Sequence, residues 1–495
     1  MTRVAIVGTG FGGIAAAVRL REAGIDDVVL FEKSDDVGGV WRENTYPGAA
    51  CDVASHLYSL SFAPKADWSR RFAPQEEIHQ YLRDVARDFG LLPLIRFRTE
   101  VLAATFDEAD GVWLLALSDG GEHEADVLVT ATGQLSRPSR PDVPGLDRFR
   151  GALFHSAEWD HDHDLTGERI AVLGTGASAI QFVPEIAPRA ARLTVFQRSA
   201  PYVLPKPDGP YDARARRAYA RVPGLLRLSR ERIYYTNELR SLGFNTEPRL
   251  LAGHRLRFSR HLRRSVPDSA LRAKVTPTDP MGCKRILMSN DWYDALQLPQ
   301  VDVVTDRISE VREHSIVTAD GTEREVDTII LGTGFAATEF LMPMRVTGRG
   351  GRDLHGQWKD GASAYLGTVV PGFPNLFVLY GPNTNLGHNS ILVMLEAQIG
   401  WVVQAVREIR RGRRLEVRRD VAEAFDAWVQ ERVGHTVFAG GCRSWYLTAS
   451  GRNTQNWPAS TLTFRRRLRR LDLADFEPAP VPVLSGGSVG QDRAL

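Results

Sequence analysis

The chain has 495 residues, 43% of them hydrophobic and 25% charged, which is the composition of a globular protein with two or three domains. Its formal net charge of +2 argues against a general nucleic-acid binder, since such a protein needs a concentrated basic face. Three cysteines, Cys51, Cys283 and Cys442, form no CxxC pair and no metal-ligand spacing, so we expect reduced thiols, no metal site and a cytoplasmic protein. No apolar run reaches the ~18 residues of a membrane span, so we expect no transmembrane helix. We also expect no signal peptide, because a core strand is predicted to begin at Val4.

The first 33 residues predict a strand, a glycine-rich turn, a helix and a second strand, which is the βαβ unit of dinucleotide-binding proteins. An apolar strand at 4–7 runs into a GxGxxG turn with glycines at Gly8, Gly10 and Gly13. Such glycines permit a sharp turn into the helix and let a pyrophosphate approach the backbone. Glu32 stands 19 residues after Gly13, where a carboxylate accepts hydrogen bonds from an unphosphorylated ribose. The unit therefore predicts FAD or NAD rather than NADP.

The residues after this unit favour FAD. Gly39, Val40 and Trp41 follow a glycine in a close-packed loop that is typical of flavin enzymes with this start, and Tyr58 belongs to the same predicted cofactor-binding segment. Asp52 follows small and apolar residues. A carboxylate there either caps its loop or faces a buried cation.

The pattern of apolar residues then predicts an amphipathic helix over 75–89 and strands over 112–117 and 126–130. The last strand ends in Ala-Thr-Gly at 131–133, a turn typical of folds with two dinucleotide sites. Three prolines between 138 and 144 indicate a stiff linker and a domain boundary.

A second glycine turn follows the strand predicted at 169–173. It reads GxGxxA, and its predicted cofactor-binding residues are Gly174, Gly176, Ser178 and Ala179. A helix is expected from here to about residue 191, broken by two prolines.

Arg198 and Ser199 close the next predicted strand, at the place that Glu32 occupies in the first unit. A guanidinium held there suits a 2′-phosphate, so we predict that the second site binds NADP. A solvent-exposed arginine without a ligand is the alternative interpretation.

Residues 205–276 are rich in arginine and predict a helical insertion. The arginines are interpreted as a solvated face, with an acidic partner or a membrane surface as the alternative. Strands at 301–304, 315–318 and 327–331 follow, and the last ends in Gly-Thr-Gly at 332–334, a second copy of the 131–133 turn.

A strand at 376–380 and a helix at 391–410 complete the regular elements, and the composition past Phe476 predicts a disordered tail. We predict an α/β fold with two Rossmann-like dinucleotide-binding domains. The FAD-binding domain comprises 1–145 and 345–495. The NADP-binding domain comprises 150–204 and 277–340, with the helical insertion at 205–276.

The linker between the two glycine turns carries a recognisable motif. Its members are Phe149, Gly151, His155, Trp159 and Asp160. Their spacing resembles the FxGxxxHxxxW(P/D) fingerprint of type I Baeyer–Villiger monooxygenases, and the tryptophan-acid ending separates it from that of the flavin-containing and N-hydroxylating monooxygenases.

Three further segments share the resemblance. GGVWRENTYPGAACD at 38–52 is similar to the family's GGTW…N.YPG..CD, with Val40 in place of the usual threonine. The family's G.KR…YY motif is similar to Gly-Cys-Lys-Arg at 282–285 followed by Asp-Trp-Tyr at 291–293. The family's late SWY segment is similar to Ser-Trp-Tyr at 444–446. The residues after Tyr446 depart from the motif of the best-known branch.

The resemblance implies an enzyme in which NADPH reduces FAD, O2 adds to the reduced flavin, and the resulting flavin peroxide converts a ketone to an ester or lactone. It implies that Arg285 is the catalytic arginine, that Asp52 orients it, that Lys284 assists the NADP phosphate, and that Trp445 lies on the nicotinamide side. The fingerprint is implied to be an interdomain linker that moves during the cycle.

Three alternatives remain at the level of sequence. A heteroatom-oxidising monooxygenase would share the cofactors and oxidise amines or sulfides. A flavin disulfide reductase is disfavoured because no CxxC is present. A nucleotide-binding sensor without catalysis is disfavoured by the retained Arg285 and Asp52. The expected partners are a small ketone and O2, with no nucleic acid and no membrane span; the oligomeric state is open.

Overall fold

A computed structural model describes residues 2–478. The predicted tail beyond 478 lies outside the described residues. The strands are β1 (Val4–Val7), β2 (Val28–Phe31), β3 (Ile95–Arg96), β4 (Val101–Asp107), β5 (Val112–Leu117), β6 (Glu122–Ala125), β7 (Val127–Thr130), β8 (Ala152–His155), β9 (Arg169–Leu173), β10 (Arg192–Phe196), β11 (Val203–Leu204), β12 (Leu287–Met288), β13 (Val301–Val304), β14 (Ile308–Val311), β15 (Ser315–Thr318), β16 (Glu323–Glu325), β17 (Thr328–Leu331), β18 (Arg345–Thr347) and β19 (Leu376–Val378).

The α-helices are α1 (Phe11–Glu22), α2 (Val40–Glu43), α3 (Gln75–Asp88), α4 (Ala179–Ile186), α5 (Ala213–Arg221), α6 (Leu225–Asn245), α7 (Ala252–Ser265), α8 (Ser269–Lys274), α9 (Trp292–Ala295), α10 (Leu354–Gln357), α11 (Ile391–Ile409), α12 (Arg419–Gly434) and α13 (Thr461–Arg467). Short 3-10 turns connect several of them, including Pro248–Leu251 between α6 and α7.

Two five-stranded parallel sheets form the centre of the molecule. The first has the order β19-β7-β1-β2-β3, and the second has the order β8-β17-β9-β10-β13. The two orders correspond strand by strand, so β1 and β9 occupy equivalent central places. Each central strand leads into one of the two glycine turns, as the sequence predicts.

The correspondence extends to the smaller sheets. An antiparallel meander, β4-β5-β6, precedes β7, and a second, β14-β15-β16, precedes β17. The repeated strand-to-turn segments at 131–133 and 332–334 therefore end equivalent strands. The duplication predicted from these segments is visible in the topology.

The central strands are buried because helices cover one face of each sheet and the antiparallel meander covers the other. All four residues of β1, β7 and β17 are buried, and their apolar side chains belong to the hydrophobic cores. Continuous rather than alternating apolar runs are what doubly covered parallel strands require.

Two predicted elements differ from the structure. The helix expected to reach residue 191 ends at Ile186, and Pro184 lies inside it rather than breaking it. Pro184 removes one N–H donor from the helix, and α4 ends two residues after it. The strand expected at 376–380 ends at Val378, since Tyr380 adopts a positive φ of 53°.

Residues 205–276 form the predicted helical region, with α5, α6, α7 and α8. Among residues 2–478, no helix combines the length and apolar character that a bilayer crossing demands. The same residues include no group of three or more histidine, cysteine or acidic side chains arranged as metal ligands.

Candidate active site

The two glycine turns have the same construction. Gly8 has a φ of 100°, and a Cβ placed there would lie 2.7 Å from the carbonyl oxygen of Ala131. Gly174 has a φ of 111°, and its Cβ would lie 2.4 Å from the carbonyl oxygen of Gly332. Both positions therefore require glycine twice over, for the backbone conformation and for the close approach of the neighbouring strand end.

The remaining glycines of the first turn are packed against backbone. A Cβ on Gly13 would lie 1.9 Å from the carbonyl oxygen of Gly8, and one on Gly39 would lie 3.2 Å from the Cα of Gly10. The turn and the Gly39 loop thus touch through their main chains. Val40 and Trp41 start α2 directly after this contact.

The helices after the two turns start without a capping side chain. α1 begins after Gly10 and α4 begins after Ser178, and neither has an acidic residue in its first turn. By contrast, Asp268 caps α8 and Ser460 caps α13. Because the first N–H groups of a helix need an acceptor, the two uncapped starts fit the phosphates of two dinucleotides.

Glu32 is buried at the end of β2, and its carboxylate is fixed by the protein. One oxygen accepts hydrogen bonds from Thr9 N at 3.0 Å and Thr9 Oγ1 at 2.6 Å, and the other accepts one from Ser34 N at 3.0 Å. An ionised carboxylate has about four acceptor positions, so a ribose hydroxyl can still be received. The position fits the sequence prediction.

Trp41 and Tyr58 form an aromatic group beside the first turn. The indole Nε1 of Trp41 donates to the Tyr58 hydroxyl at 3.1 Å, and the two ring centroids are 5.6 Å apart. Phe11, the first residue of α1, meets the ring of Tyr58 edge-on. Burial raises the pKa of Tyr58, so its hydroxyl is neutral near pH 7.

Arg285 and Asp52 form an ion pair, although 233 residues separate them. The Nε of Arg285 donates to Oδ2 of Asp52 at 3.0 Å, and Nη2 donates to the same oxygen. The charge of Asp52 raises the pKa of Arg285 above its already high value. About a third of each side chain is exposed, 34% for Arg285 and 31% for Asp52. The guanidinium is therefore a fixed cation that faces open space.

Tyr380 and Tyr446 lie close enough to Arg285 for its charge to act on both hydroxyls. Burial raises the pKa of Tyr446 to about 12 and raises that of Tyr380 as well. The Tyr380 hydroxyl donates to Oδ1 of Asn385 at 2.9 Å. Both tyrosines are thus neutral polar neighbours of the Arg285–Asp52 pair, and nothing in the sequence distinguished Tyr380 from an ordinary core tyrosine.

Lys284 and Ser199 meet at the second nucleotide unit. The Nζ of Lys284 donates to Ser199 Oγ at 2.8 Å and to Oδ2 of Asp279 at 2.6 Å. Arg198, next to Ser199 in the chain, is exposed. Arg198 and Lys284 therefore stand near the end of β10, at the place that Glu32 occupies in the first unit.

The fingerprint glycine is explained by its neighbours. A Cβ on Gly151 would lie 2.1 Å from the carbonyl oxygen of Asp327 and 2.7 Å from the ring of Phe149. Gly151 comes directly before β8, which pairs in parallel with β17. A side chain here would push the linker away from the second sheet.

His155 and Trp159 of the fingerprint pack against neighbouring side chains. His155 is fully buried at the end of β8, its Nδ1 accepts from Ala157 N at 3.1 Å, and burial lowers its pKa, so the ring is neutral near pH 7. Trp159 lies between Phe154 and Phe182, with centroid distances of 5.2 and 5.3 Å.

Asp160 is exposed and accepts a hydrogen bond from Asp162 N at 3.0 Å. Its carboxylate shapes a local turn and does not reach the Arg285–Asp52 pair.

Sequence reasoning missed Gln181 on α4. Its amide oxygen accepts from the Tyr46 hydroxyl at 2.9 Å, and its amide nitrogen donates to the carbonyl oxygen of Ala50 at 3.0 Å. It therefore joins the second nucleotide unit to the segment that carries Asp52. A single glutamine in a helix offers no sequence signal for such a contact.

The expectation of three free thiols is wrong for two of the cysteines. Cys283 and Cys442 form a disulfide, with Cα atoms 6.2 Å apart, while Cys51 is free and buried. The pair is separated by 159 residues, so no spacing rule could have found it. Because two of the three cysteines are paired, cysteine usage no longer indicates a cytoplasmic location.

The disulfide connects two segments that the sequence assigned to the site. Cys283 directly precedes Lys284 and Arg285, and Cys442 lies three residues before Trp445. Trp445 is partly buried, and its ring centroid is 4.5 Å from that of Tyr446.

Comparison with known proteins places this geometry in a class and then in a family. Residues 1–213 match the family model described as flavin-binding monooxygenase-like. A protein of Streptomyces coelicolor named Baeyer–Villiger monooxygenase is 47% identical over 488 residues, which cover 97% of this chain and 94% of that protein. The chain belongs to the Baeyer–Villiger monooxygenase family, which confirms the resemblance seen in the sequence.

Solved structures share the fold. An oxidized steroid monooxygenase bound to NADP has a TM-score of 0.83 at 34% identity, and the match covers 94% of this chain and 97% of that one. OTEMO in complex with FAD and NADP has a TM-score of 0.84 at 27% identity, over 96% of this chain and 99% of that one. These matches confirm the predicted α/β fold with two Rossmann-like units.

Proposed function

We propose that this protein is an FAD- and NADPH-dependent monooxygenase that inserts one oxygen atom of O2 beside the carbonyl of a ketone. The balanced reaction converts ketone, O2, NADPH and a proton to ester or lactone, water and NADP⁺. The observation that carries the proposal is the Arg285–Asp52 pair. It links the loop after the first nucleotide unit to a segment inside the second, and it leaves 34% of the Arg285 side chain exposed.

The first glycine turn is assigned to FAD and the second to NADP. Gly8, Gly10 and Gly13 with the start of α1 would hold the FAD pyrophosphate, and Glu32 would hold its ribose. Bound FAD supplies the redox chemistry, because it accepts hydride from NADPH and activates O2.

The second turn, with Gly174, Gly176 and Ala179, would hold the NADP pyrophosphate. Arg198 and Lys284 would receive the 2′-phosphate, since two cations at this strand end favour the phosphorylated ribose. We assign the FAD-binding domain to 1–145 and 345–495 and the NADP-binding domain to 150–204 and 277–340.

Arg285 provides a positive charge that cannot be lost by deprotonation. Such a charge stabilises negative charge that develops on oxygen during attack on the carbonyl carbon. Asp52 fixes the orientation of the guanidinium by accepting from Nε and Nη2. The neutral hydroxyls of Tyr380 and Tyr446 add polar contacts without a competing negative charge.

The test uses isotope labelling with the purified holoenzyme. Cyclic, linear and aromatic ketones are supplied with NADPH under ¹⁸O2, and products are identified by mass spectrometry. We expect an ester or lactone with one ¹⁸O atom and one NADPH consumed per product. Hydrogen peroxide formation without product would contradict the proposal, and sulfoxide from methyl phenyl sulfide without any ester would favour the heteroatom-oxidising alternative.

A further inference from the structure

The helical region at 205–276 carries most of the basic excess of the molecule. It has 17 arginine and lysine residues against 6 acidic ones, a formal charge of +11, whereas the whole chain has +2. None of the proposed cofactor contacts comes from this region. Its charge therefore needs another explanation.

The same region exposes apolar side chains. Of the thirteen large hydrophobic side chains that are well exposed among residues 2–478, seven lie between Val222 and Leu256. The most exposed are Leu239 at 70% and Leu228 at 65%. Single exposed leucines are ordinary on protein surfaces, but a concentration of them is not.

Four of these side chains share one face of α6. Leu228, Tyr235, Leu239 and Leu242 follow one another at spacings of seven, four and three residues, so they fall within one narrow stripe of the helix. Leu250 packs beside Gly243 near the end of this stripe, and Leu256 is exposed on α7. We call these six residues the apolar face.

α6 turns several of its polar residues inward, beside the buried Tyr234 and Phe244. On its buried side, Glu238 accepts hydrogen bonds from Asn389 at 2.8 Å and from Thr461 at 2.7 Å, and the Tyr234 hydroxyl is 2.8 Å from Thr461 Oγ1. A helix on a globular surface ordinarily buries its leucines and exposes its polar residues. The reversed arrangement indicates that the leucines have a partner outside the chain.

Arginines surround the apolar face. Arg232 lies within the stripe of α6, four residues after Leu228, and Arg260 and Arg263 share one face of α7 with Leu256. Arginine side chains can lay their apolar stems on hydrocarbon while the guanidinium contacts phosphate. Leucine and tyrosine flanked by arginine on an exposed helix is the pattern of an interfacial helix on anionic lipid.

We propose that the apolar face of α6 and α7 docks on the surface of an anionic phospholipid bilayer. The leucines enter the boundary between headgroups and acyl chains, and the arginines contact lipid phosphates. A second copy of the chain is disfavoured because two surfaces of this charge repel each other. Nucleic acid is disfavoured because it gives no environment for the leucines.

The test is co-sedimentation of the full-length holoenzyme with vesicles. Vesicles of phosphatidylcholine and phosphatidylglycerol at equal amounts are compared with phosphatidylcholine alone. We expect binding to the mixed vesicles, at least about tenfold weaker binding to phosphatidylcholine alone, and weakening by salt.

The variant Leu228→Gln with Leu239→Gln should bind the mixed vesicles at least about tenfold more weakly, because two inserted side chains are lost. Its NADPH oxidation with a ketone should equal that of the wild type, which shows that it is folded. The matched control is Leu102→Gln with Leu114→Gln, two exposed leucines of the β4-β5 sheet, which should bind like the wild type.

Three kinds of result would overturn the proposal. One is the absence of sedimentation with mixed vesicles, and another is an equal loss in the control variant. The third is tighter binding to a DNA duplex than to vesicles, or a dimer in analytical ultracentrifugation that Leu239→Gln dissociates, since either would assign the face to a different partner.

Discussion

At the scale of single residues, the site depends on charges that the chain fixes in place. Arg285 is held by Asp52, and Lys284 is held by Asp279 and Ser199. In each case a partner from a distant or neighbouring segment removes rotamer freedom from a long side chain. Charges that are oriented before the reaction stabilise a transition state at little reorganisation cost.

Replacing Arg285 by alanine should abolish product formation while flavin binding is retained. The variant loses the fixed cation, so ester formation should fall by about 100-fold or more. The measurements are product yield per NADPH and the flavin content of the purified protein.

The matched control for this variant is Arg169→Ala. Arg169 is paired with Asp327 at the start of β9, at the opposite end of that strand from the Gly174 turn. Loss of this pair should leave product yield per NADPH unchanged. Normal turnover of the Arg285 variant would remove its assigned role.

Replacing Arg198 by alanine should reduce selectivity for NADPH. A charge-assisted contact to a phosphate contributes about 1.5–3 kcal/mol, so kcat/KM for NADPH should fall about tenfold or more while that for NADH changes little. Arg192→Ala, at the exposed start of the same strand, is the control and should leave the ratio unchanged. An unaltered NADPH/NADH ratio in the Arg198 variant would contradict the assignment.

At the scale of elements, the linker between the two nucleotide units is shaped by packing. Gly151 fits against the carbonyl oxygen of Asp327, and Trp159 fits between Phe154 and Phe182. Phe182 in turn contacts Tyr46 from the segment that leads to Asp52. The linker therefore reaches the segment that leads to Asp52 through a chain of aromatic contacts.

Gly151→Ala should destabilise the protein. The new Cβ would overlap the Asp327 carbonyl oxygen, and relief of such an overlap costs about 1–3 kcal/mol. Urea denaturation measures the difference. Gly400→Ala serves as the control, because Gly400 lies inside α11 with open space around it and alanine there should stabilise by about 0.5–1 kcal/mol. Equal stability of the Gly151 variant and the wild type would show that the linker can move away from the Asp327 carbonyl oxygen without loss of stability.

Glu238 connects the helical region to the loop before α11. Burial raises the pKa of Glu238, but the hydrogen bonds to His388, Thr461 and Asn389 lower it by more. The net result is a pKa of about 2. A carboxylate whose pKa is depressed on folding stabilises the folded state above its unfolded value near 4.5, and this stabilisation is lost as the pH falls towards 2.

Glu238→Gln should therefore be less stable than the wild type at pH 6, and the difference should shrink as the pH falls from about 4.5 to 2. Chemical denaturation at a series of pH values measures this difference. If the difference in unfolding free energy between wild type and variant did not change with pH, the assigned role of Glu238 would be wrong.

At the scale of the whole molecule, a disulfide connects segments 159 residues apart. It joins the strand-poor segment before Arg285 to the loop that carries Trp445. Closing so long a loop restricts the unfolded chain, which stabilises the folded state by several kcal/mol in the chain-entropy description.

Thiol titration tests the pairing. The denatured, unreduced protein should show one reactive thiol per chain, from Cys51, and three after reduction. The variant Cys283→Ser with Cys442→Ser should show one thiol in both conditions. Three thiols in the unreduced wild type would contradict the pairing.

Much of the fold could be predicted from local sequence, because each nucleotide unit is a motif of consecutive residues. The strands before Gly8 and Gly174 are continuous apolar runs, and glycines at turns with positive φ admit few alternatives. The equivalent turns at 131–133 and 332–334 indicated the duplication that the matching sheet orders display.

The sequence by itself determined the two nucleotide units, the basic helical region and, through its motifs, the family. The motifs also implied the contact of Asp52 with Arg285, which the structure shows. Only the tertiary structure decided that Gln181 meets Tyr46 and that Cys283 meets Cys442. It also decided that α6 turns its leucines outward. The physical reason is that periodicity and turn chemistry act over a few residues, whereas contacts between distant segments depend on how the complete elements pack.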